Sequence, residues 1–116
     1  LLNWLRLDCR KRHALALNAS TRRQLDGLLK ERSAQADAGI DLPWCFMDQI
    51  EALLYLQRPG DAEAALVACL QLPRQDLSTE ALESFRDSLL TLTPWYPDPE
   101  VLETLDGRVA TELSHR

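Results

Sequence analysis

Strand-forming residues are almost missing from this chain. Val67, Val101, Val109, Ile40 and Ile50 are its only valines and isoleucines, while leucine and alanine recur from end to end. Leucine and alanine give up little side-chain freedom in a helix, whereas β-branched side chains suit the half-buried pleat of a sheet. Such a chain is confined to helical solutions, so the expected fold class is all-α. Helix start and stop signals divide it into six segments, at about 3–17, 21–38, 42–57, 61–72, 78–92 and 98–113.

Each segment has its own punctuation. Asn3 opens the first, Leu2, Leu5, Cys9 and Ala16 fall near one stripe, and Asn18-Ala19-Ser20 reads as its stop. Thr21 and Gln24 have the spacing of a capping box at the second helix start, Leu25, Leu28 and Leu29 form the stripe, and Gly39 ends it. Asp41 followed by Pro43 announces the third, in which Trp44, Phe46 and Met47 read as core. Pro59-Gly60 ends that helix and Asp61 opens the fourth, which stops at Pro73. Ser78 caps the fifth, with Leu82, Phe85 and Leu89 inward, until Thr93-Pro94-Trp95-Tyr96-Pro97 breaks it. Asp98-Pro99-Glu100 combines a capping acid, a proline in the first turn and an acid at the positive end of the helix dipole. The connections between segments are short, as between antiparallel neighbours in a bundle, and residues 1–116 are expected to form one domain.

No apolar run reaches the ~20 residues of a membrane span; Arg58, Asp61 and Glu63 interrupt the most apolar stretch. Arg6, Asp8 and Arg10 likewise break the leading apolar residues, so no secretory signal is read there. A start at Leu1 rather than Met is what a fragment or trimmed product would show. Cys9, Cys45 and Cys69 are odd in number and form no C-x-x-C, which suits reduced thiols in a cytoplasmic protein better than a disulfide framework. The Leu/Ala/Arg-rich composition points to a bacterial source.

Helix starts near Leu42 and Ser78 lie about 35 residues apart, the period of helical-hairpin repeats. Between them, Gly60-Asp-Ala-Glu-Ala-Ala65 and Pro73 supply a turn, small residues where two helices cross, and a proline after the second helix. On these residues the stretch 52–73 resembles a tetratricopeptide repeat. Cys69 stands where that pattern carries an aromatic, the early Trp and Gly are not cleanly placed, and residues 78–113 share the period without the small-residue pattern. The resemblance implies a scaffold that holds a peptide or helix in a concave groove. The fold expected is therefore about six antiparallel helices packed as hairpins, either a tetratricopeptide-like stack or an irregular bundle.

No enzyme constellation emerges. Cys9 and His13, four apart, could share a metal or form a thiolate–imidazole pair, but two ligands do not make a site and no second pair follows. Asp48 with Glu51, Glu80 with Glu83 and Glu100 with Glu103 are paired carboxylates read as solvated helix faces, not as desolvated acid–base groups. Gly27, Gly39, Gly60 and Gly107 are too scattered for a phosphate loop. No catalytic residue, metal or cofactor is assigned.

Charge and aromatics carry the functional expectation. Residues 1–32 hold eight Lys/Arg and three Asp/Glu, a balance of +5; residues 33–116 hold five Arg and fifteen Asp/Glu, a balance of −10; together they give the −5 of the whole chain. This asymmetry means either an acidic body with a basic face, or oppositely charged helices packed side by side. The basic cluster, with Arg6 and Arg10 on one stripe and Arg22 and Arg23 on the next helix, is the one hint of nucleic-acid binding; the acidic body opposes it. Trp95 and Tyr96, in a break stiffened by Pro94 and Pro97, are candidate displayed rings of the kind enriched at binding hot spots, unless Trp95 folds back as a plug on the core. The leading expectation is a non-enzymatic protein–protein interaction module, an adaptor, chaperone or regulatory domain. Its partner-binding residues are drawn from Trp95, Tyr96, Arg6, Arg10, Arg22 and Arg23. The alternatives are an acidic helical inhibitor or immunity protein that plugs a basic enzyme or toxin, and a small nucleic-acid-binding domain using the basic N-terminal helices.

Overall fold

Caps and turns decide where this leucine-rich chain stops being helical. The computed structural model describes all 116 residues and contains six α-helices and no strand. They are α1 (Leu2–Arg12), α2 (Ala19–Asp37), α3 (Trp44–Tyr55), α4 (Pro59–Leu70), α5 (Thr79–Leu92) and α6 (Pro99–Ser114). The all-α class and the six-helix order match expectation; several boundaries do not.

The first helix stops at Arg12, because His13 takes a left-handed conformation (φ 55°). Residues 14–18 then run as a loop in which Leu15 and Leu17 stay half-buried. Asn18 is not a stop but the cap of α2: its Oδ1 accepts a hydrogen bond from the Thr21 N–H at 2.8 Å. The expected capping box at Thr21 does not form, since Thr21 already lies in the first turn and is buried. Gly39 (φ 69°) and Asp41 (φ 56°) are both left-handed, which holds the start of α3 back to Trp44 and leaves Asp41 without a capping role. Pro59 begins α4 rather than ending α3, with its missing N–H in the first turn where no partner was available. Ser78 and Asp98 cap α5 and α6 as expected, accepting from the Ala81 and Glu100 N–H groups at 3.0 and 3.2 Å.

Helix α3 is the centre of the fold. Residues 50–55 are buried all round, with α2 and α4 packed closely against α3 and α1 laid across it. Helix α6 rests on both α5 and α4. One buried cluster includes Leu5 and Cys9 from α1, Leu25 from α2, Leu66 from α4, Leu82 and Phe85 from α5, and Leu105 and Val109 from α6. An ion pair spans each of four helix contacts: Arg6–Glu51 joins α1 to α3, and Arg32–Asp48 (2.8 Å) joins α2 to α3. Arg86 grips Asp106 with two bonds of 2.7 and 3.1 Å between α5 and α6, and Arg108 reaches Glu63 at 2.9 Å between α6 and α4. Basic N-terminal helices thus lie beside the acidic α3, which accounts for part of the charge asymmetry. No helix is long and apolar enough to cross a membrane.

Candidate docking surface on the first helix

The residues expected to face a partner divide sharply on exposure. Trp95 and Tyr96 are not displayed: only 5% and 7% of their surfaces are accessible. The turn after α5 folds both rings inward. Trp95 stacks on Tyr55 of α3 with centroids 5.9 Å apart and planes 3° from parallel. The Tyr96 hydroxyl donates to the Leu54 carbonyl at 2.9 Å. The two flanking prolines set the break, but burying two large rings outweighs showing them to water.

Arg6 is also engaged within the molecule. Its guanidinium donates to the Glu51 carboxylate and lies near the Tyr55 hydroxyl, while its Nε and that hydroxyl form no hydrogen bond of good geometry. Glu51 was expected on a solvated face and is instead buried. Its position inside Ile50-Glu51-Ala52-Leu53-Leu54-Tyr55 was the signal: an acid flanked by residues that all turn inward. Burial raises the Glu51 pKa above the ordinary carboxylate range; the Arg6 partner opposes that rise without cancelling it.

This has a testable consequence. Between the unfolded value of about 4.3 and the raised folded value, the folded state binds the proton more tightly. The stability that wild type holds over Glu51→Gln is therefore complete below the unfolded pKa and declines as pH rises through the folded one. Urea titrations of both proteins across that range would show it; an advantage that grows with pH would contradict the burial of this carboxylate.

Arg10, Arg22 and Arg23 remain exposed and make no ion pair, as does Lys11. Arg10 and Lys11 share their face of α1 with Trp4 and Leu7, which are 58% and 66% accessible. Helical geometry explains the sorting. Leu5 and Cys9 lie on the stripe that meets the core, and Trp4, Leu7 and Lys11 fall on the opposite one. Asp8, at the edge of this outer face, is held by Arg12 one turn on (3.1 Å), which leaves Arg10 and Lys11 uncompensated. Trp4, Leu7, Asp8, Arg10, Lys11 and His13 line an open depression of about 580 Å³, and all six belong to α1 or its C-cap. Arg22 and Arg23, on the first turns of α2, do not line it.

Sequence reading counts Trp4 among the aromatics near helix starts but leaves it out of the partner-binding set, and it misses Leu7, because four leucines and a tryptophan in seven residues suggest burial. The missing step is to note that they fall on two stripes, of which one suffices for the core. Trp44, read as core, is 44% accessible at the first turn of α3. Cys9 is buried while His13 is exposed, so that pair shares no site. No three His, Cys, Asp or Glu side chains gather as a metal-binding group. Burial pushes the Cys69 thiol up to about 12 and raises Cys9 and Cys45 as well, so all three are poor nucleophiles near neutral pH. No protein-family model, curated protein or solved structure matches the chain.

Proposed function

We propose that this chain is a non-enzymatic protein-interaction module whose docking surface is the outward face of α1. One observation carries the reading: the open depression of about 580 Å³ beside exposed Trp4 and Leu7 has a single wall, α1. A small ligand needs to be enclosed on most sides, and one helix cannot do that. A partner's surface can supply the second wall. Trp4 and Leu7 give it apolar area to bury, and Arg10 and Lys11 select for an acidic partner and speed its approach. An amphipathic helix docked on α1 through its i, i+3 and i+4 positions is the simplest occupant.

The close pairing of α3 with α4 and the α5–α6 hairpin support a stack of tetratricopeptide kind. The packing of α6, more than α5, against α4 departs from a regular one. On either reading the binding surface we assign is α1, outside any concave groove.

Two variants test this: Trp4→Ala/Leu7→Ala and Arg10→Glu/Lys11→Glu. Both alter exposed residues, so unfolding free energies should stay within about 0.5 kcal/mol of wild type. A purified partner, first identified by co-purification, should lose at least about tenfold in affinity to either variant. Unchanged affinity in both would sink the assignment. Retention of nucleic acid alone, sensitive to nuclease and to Arg10→Glu/Lys11→Glu, would replace the partner class.

A further inference from the structure

A second apolar opening lies at the α5–α6 hairpin, and its chemistry is the complement of α1. Leu89, Leu90, Thr93, Pro99, Leu102 and Glu103 are its main walls. At about 180 Å³ it is too small for most ligands, which occupy roughly 300–1,000 Å³, but it is of a size to receive a side chain. Leu90 stands at its lip, 65% accessible, a large apolar residue with nothing over it. The surrounding charge is negative. Glu103 and Asp87 are exposed and unpaired, and Asp106 is already held by Arg86.

The order of these features along the helices matters. On α1, Trp4 and Leu7 come first, and Arg10 and Lys11 follow one turn later. On α6, Leu102 comes first and Asp106 follows one turn later, with Glu103 on the rim. On α5 the order is reversed: Asp87 precedes Leu90 by three residues. The Arg86–Asp106 pair and the facing of Leu90 with Leu102 show that α5 and α6 run antiparallel. A helix laid parallel to α6 and antiparallel to α5 would therefore set Leu7 over Leu90 and Leu102, and Arg10 and Lys11, one turn on, at the level of Asp87; Glu103, one residue past Leu102, lies on the rim level with Leu7. In this one register Leu7 meets the apolar opening and the free cations meet a free acid.

We propose that the α5–α6 groove receives the outward face of α1 from a second copy of this chain. The contact is heterologous, since two different surfaces meet, and such contacts either close into a ring or continue as a chain. The inference rests on the α1 docking surface argued above and names its occupant.

The test uses two blocked variants of the purified chain. Leu7→Glu/Arg10→Glu disables the α1 face and leaves the groove intact. Leu90→Lys/Glu103→Lys disables the groove and leaves α1 intact. All four positions are exposed, and unchanged melting temperatures confirm folding; Trp4→Ala serves as a milder block of the α1 face. Sedimentation velocity of the wild type at rising concentration should show mass growing above the monomer, more so at low salt. Each variant alone should stay monomeric, and an equimolar mixture of the two should give a complex of twice the monomer mass. A wild type that remains monomeric throughout, a blocked variant that still associates, or a mixture that does not pair would each overturn the proposal. A monomeric wild type that still binds another protein through Trp4 and Leu7 would leave the interaction module standing and remove only the second copy.

Discussion

Trp95→Ala is expected to lower the unfolding free energy by about 3–5 kcal/mol, the range for emptying a large aromatic site in a packed core. The ring is 5% accessible and stacked on Tyr55, so truncation removes the stacking contact and opens a void between the turn after α5 and the central helix. Tyr96 cannot move in to fill it while its hydroxyl is bonded to the Leu54 carbonyl. A domain of this size commonly has about 5–15 kcal/mol in total, so the loss is a large share of its stability. The Trp95 Nε1 has no acceptor. Trp95→Phe keeps most of the buried area and removes that unsatisfied donor, so its cost should be far smaller, about 1 kcal/mol. Trp4→Ala, the same chemical change on the outer face of α1, should fall within about 0.5 kcal/mol of wild type. Equilibrium denaturation of the three variants separates these cases. Equal effects of Trp95→Ala and Trp4→Ala would contradict the division of aromatics into core and surface.

That contrast shows which parts of the molecule were legible in the sequence. Fold class and helix order follow from composition and from local caps, and these signals act within a few residues. Ser78 and Asp98 accept from N–H groups three and two residues on, so tertiary structure hardly enters. The start of α2 was misread because Asn18 serves equally well as the last polar residue of one helix or the cap of the next. The choice is made at His13, whose left-handed backbone ends α1 early. Which side of a residue meets the core is not local. Trp95 follows a proline in a loop, where no local periodicity fixes its direction, and its fate depends on Tyr55, forty residues away.

The docking surface proposed for α1 was hidden for a related reason. A short helix with Leu1, Leu2, Trp4, Leu5 and Leu7 has more apolar side chains than one face can hold. Periodicity shows that two stripes exist, Leu2 and Leu5 with Cys9 and Trp4 with Leu7, but only the position of α3 decides which is inward. Arg6 turned out to be committed to Glu51, whereas Arg10 stayed free. In a sequence the two look alike, being four apart on one helix.

The commitment of Arg6 makes the second large effect. Arg6→Met should cost about 3 kcal/mol at neutral pH, since removing one partner leaves the other charge buried and uncompensated. Glu51 is enclosed between α1 and α3, and its pKa is already raised with Arg6 present, so it has little solvation of its own to fall back on. The double variant Arg6→Met/Glu51→Leu should recover most of the loss, because two apolar side chains of similar volume need neither hydration nor a partner. A double-mutant cycle by chemical denaturation measures the coupling directly. The pair also fixes α1, which touches the rest of the molecule mainly through Leu5, Cys9 and this one bridge to α3. Amide exchange should therefore quicken through α1 in Arg6→Met, while α3 and α4 keep their protection. A rigid α1 presents Trp4, Leu7, Arg10 and Lys11 as one surface, and a loosened one does not, so the partner binding proposed for this face should weaken in Arg6→Met although none of its four residues is altered. Were the single variant as stable as wild type, with α1 equally protected, the bridge would be a surface contact without structural weight, and the docking face would owe nothing to it.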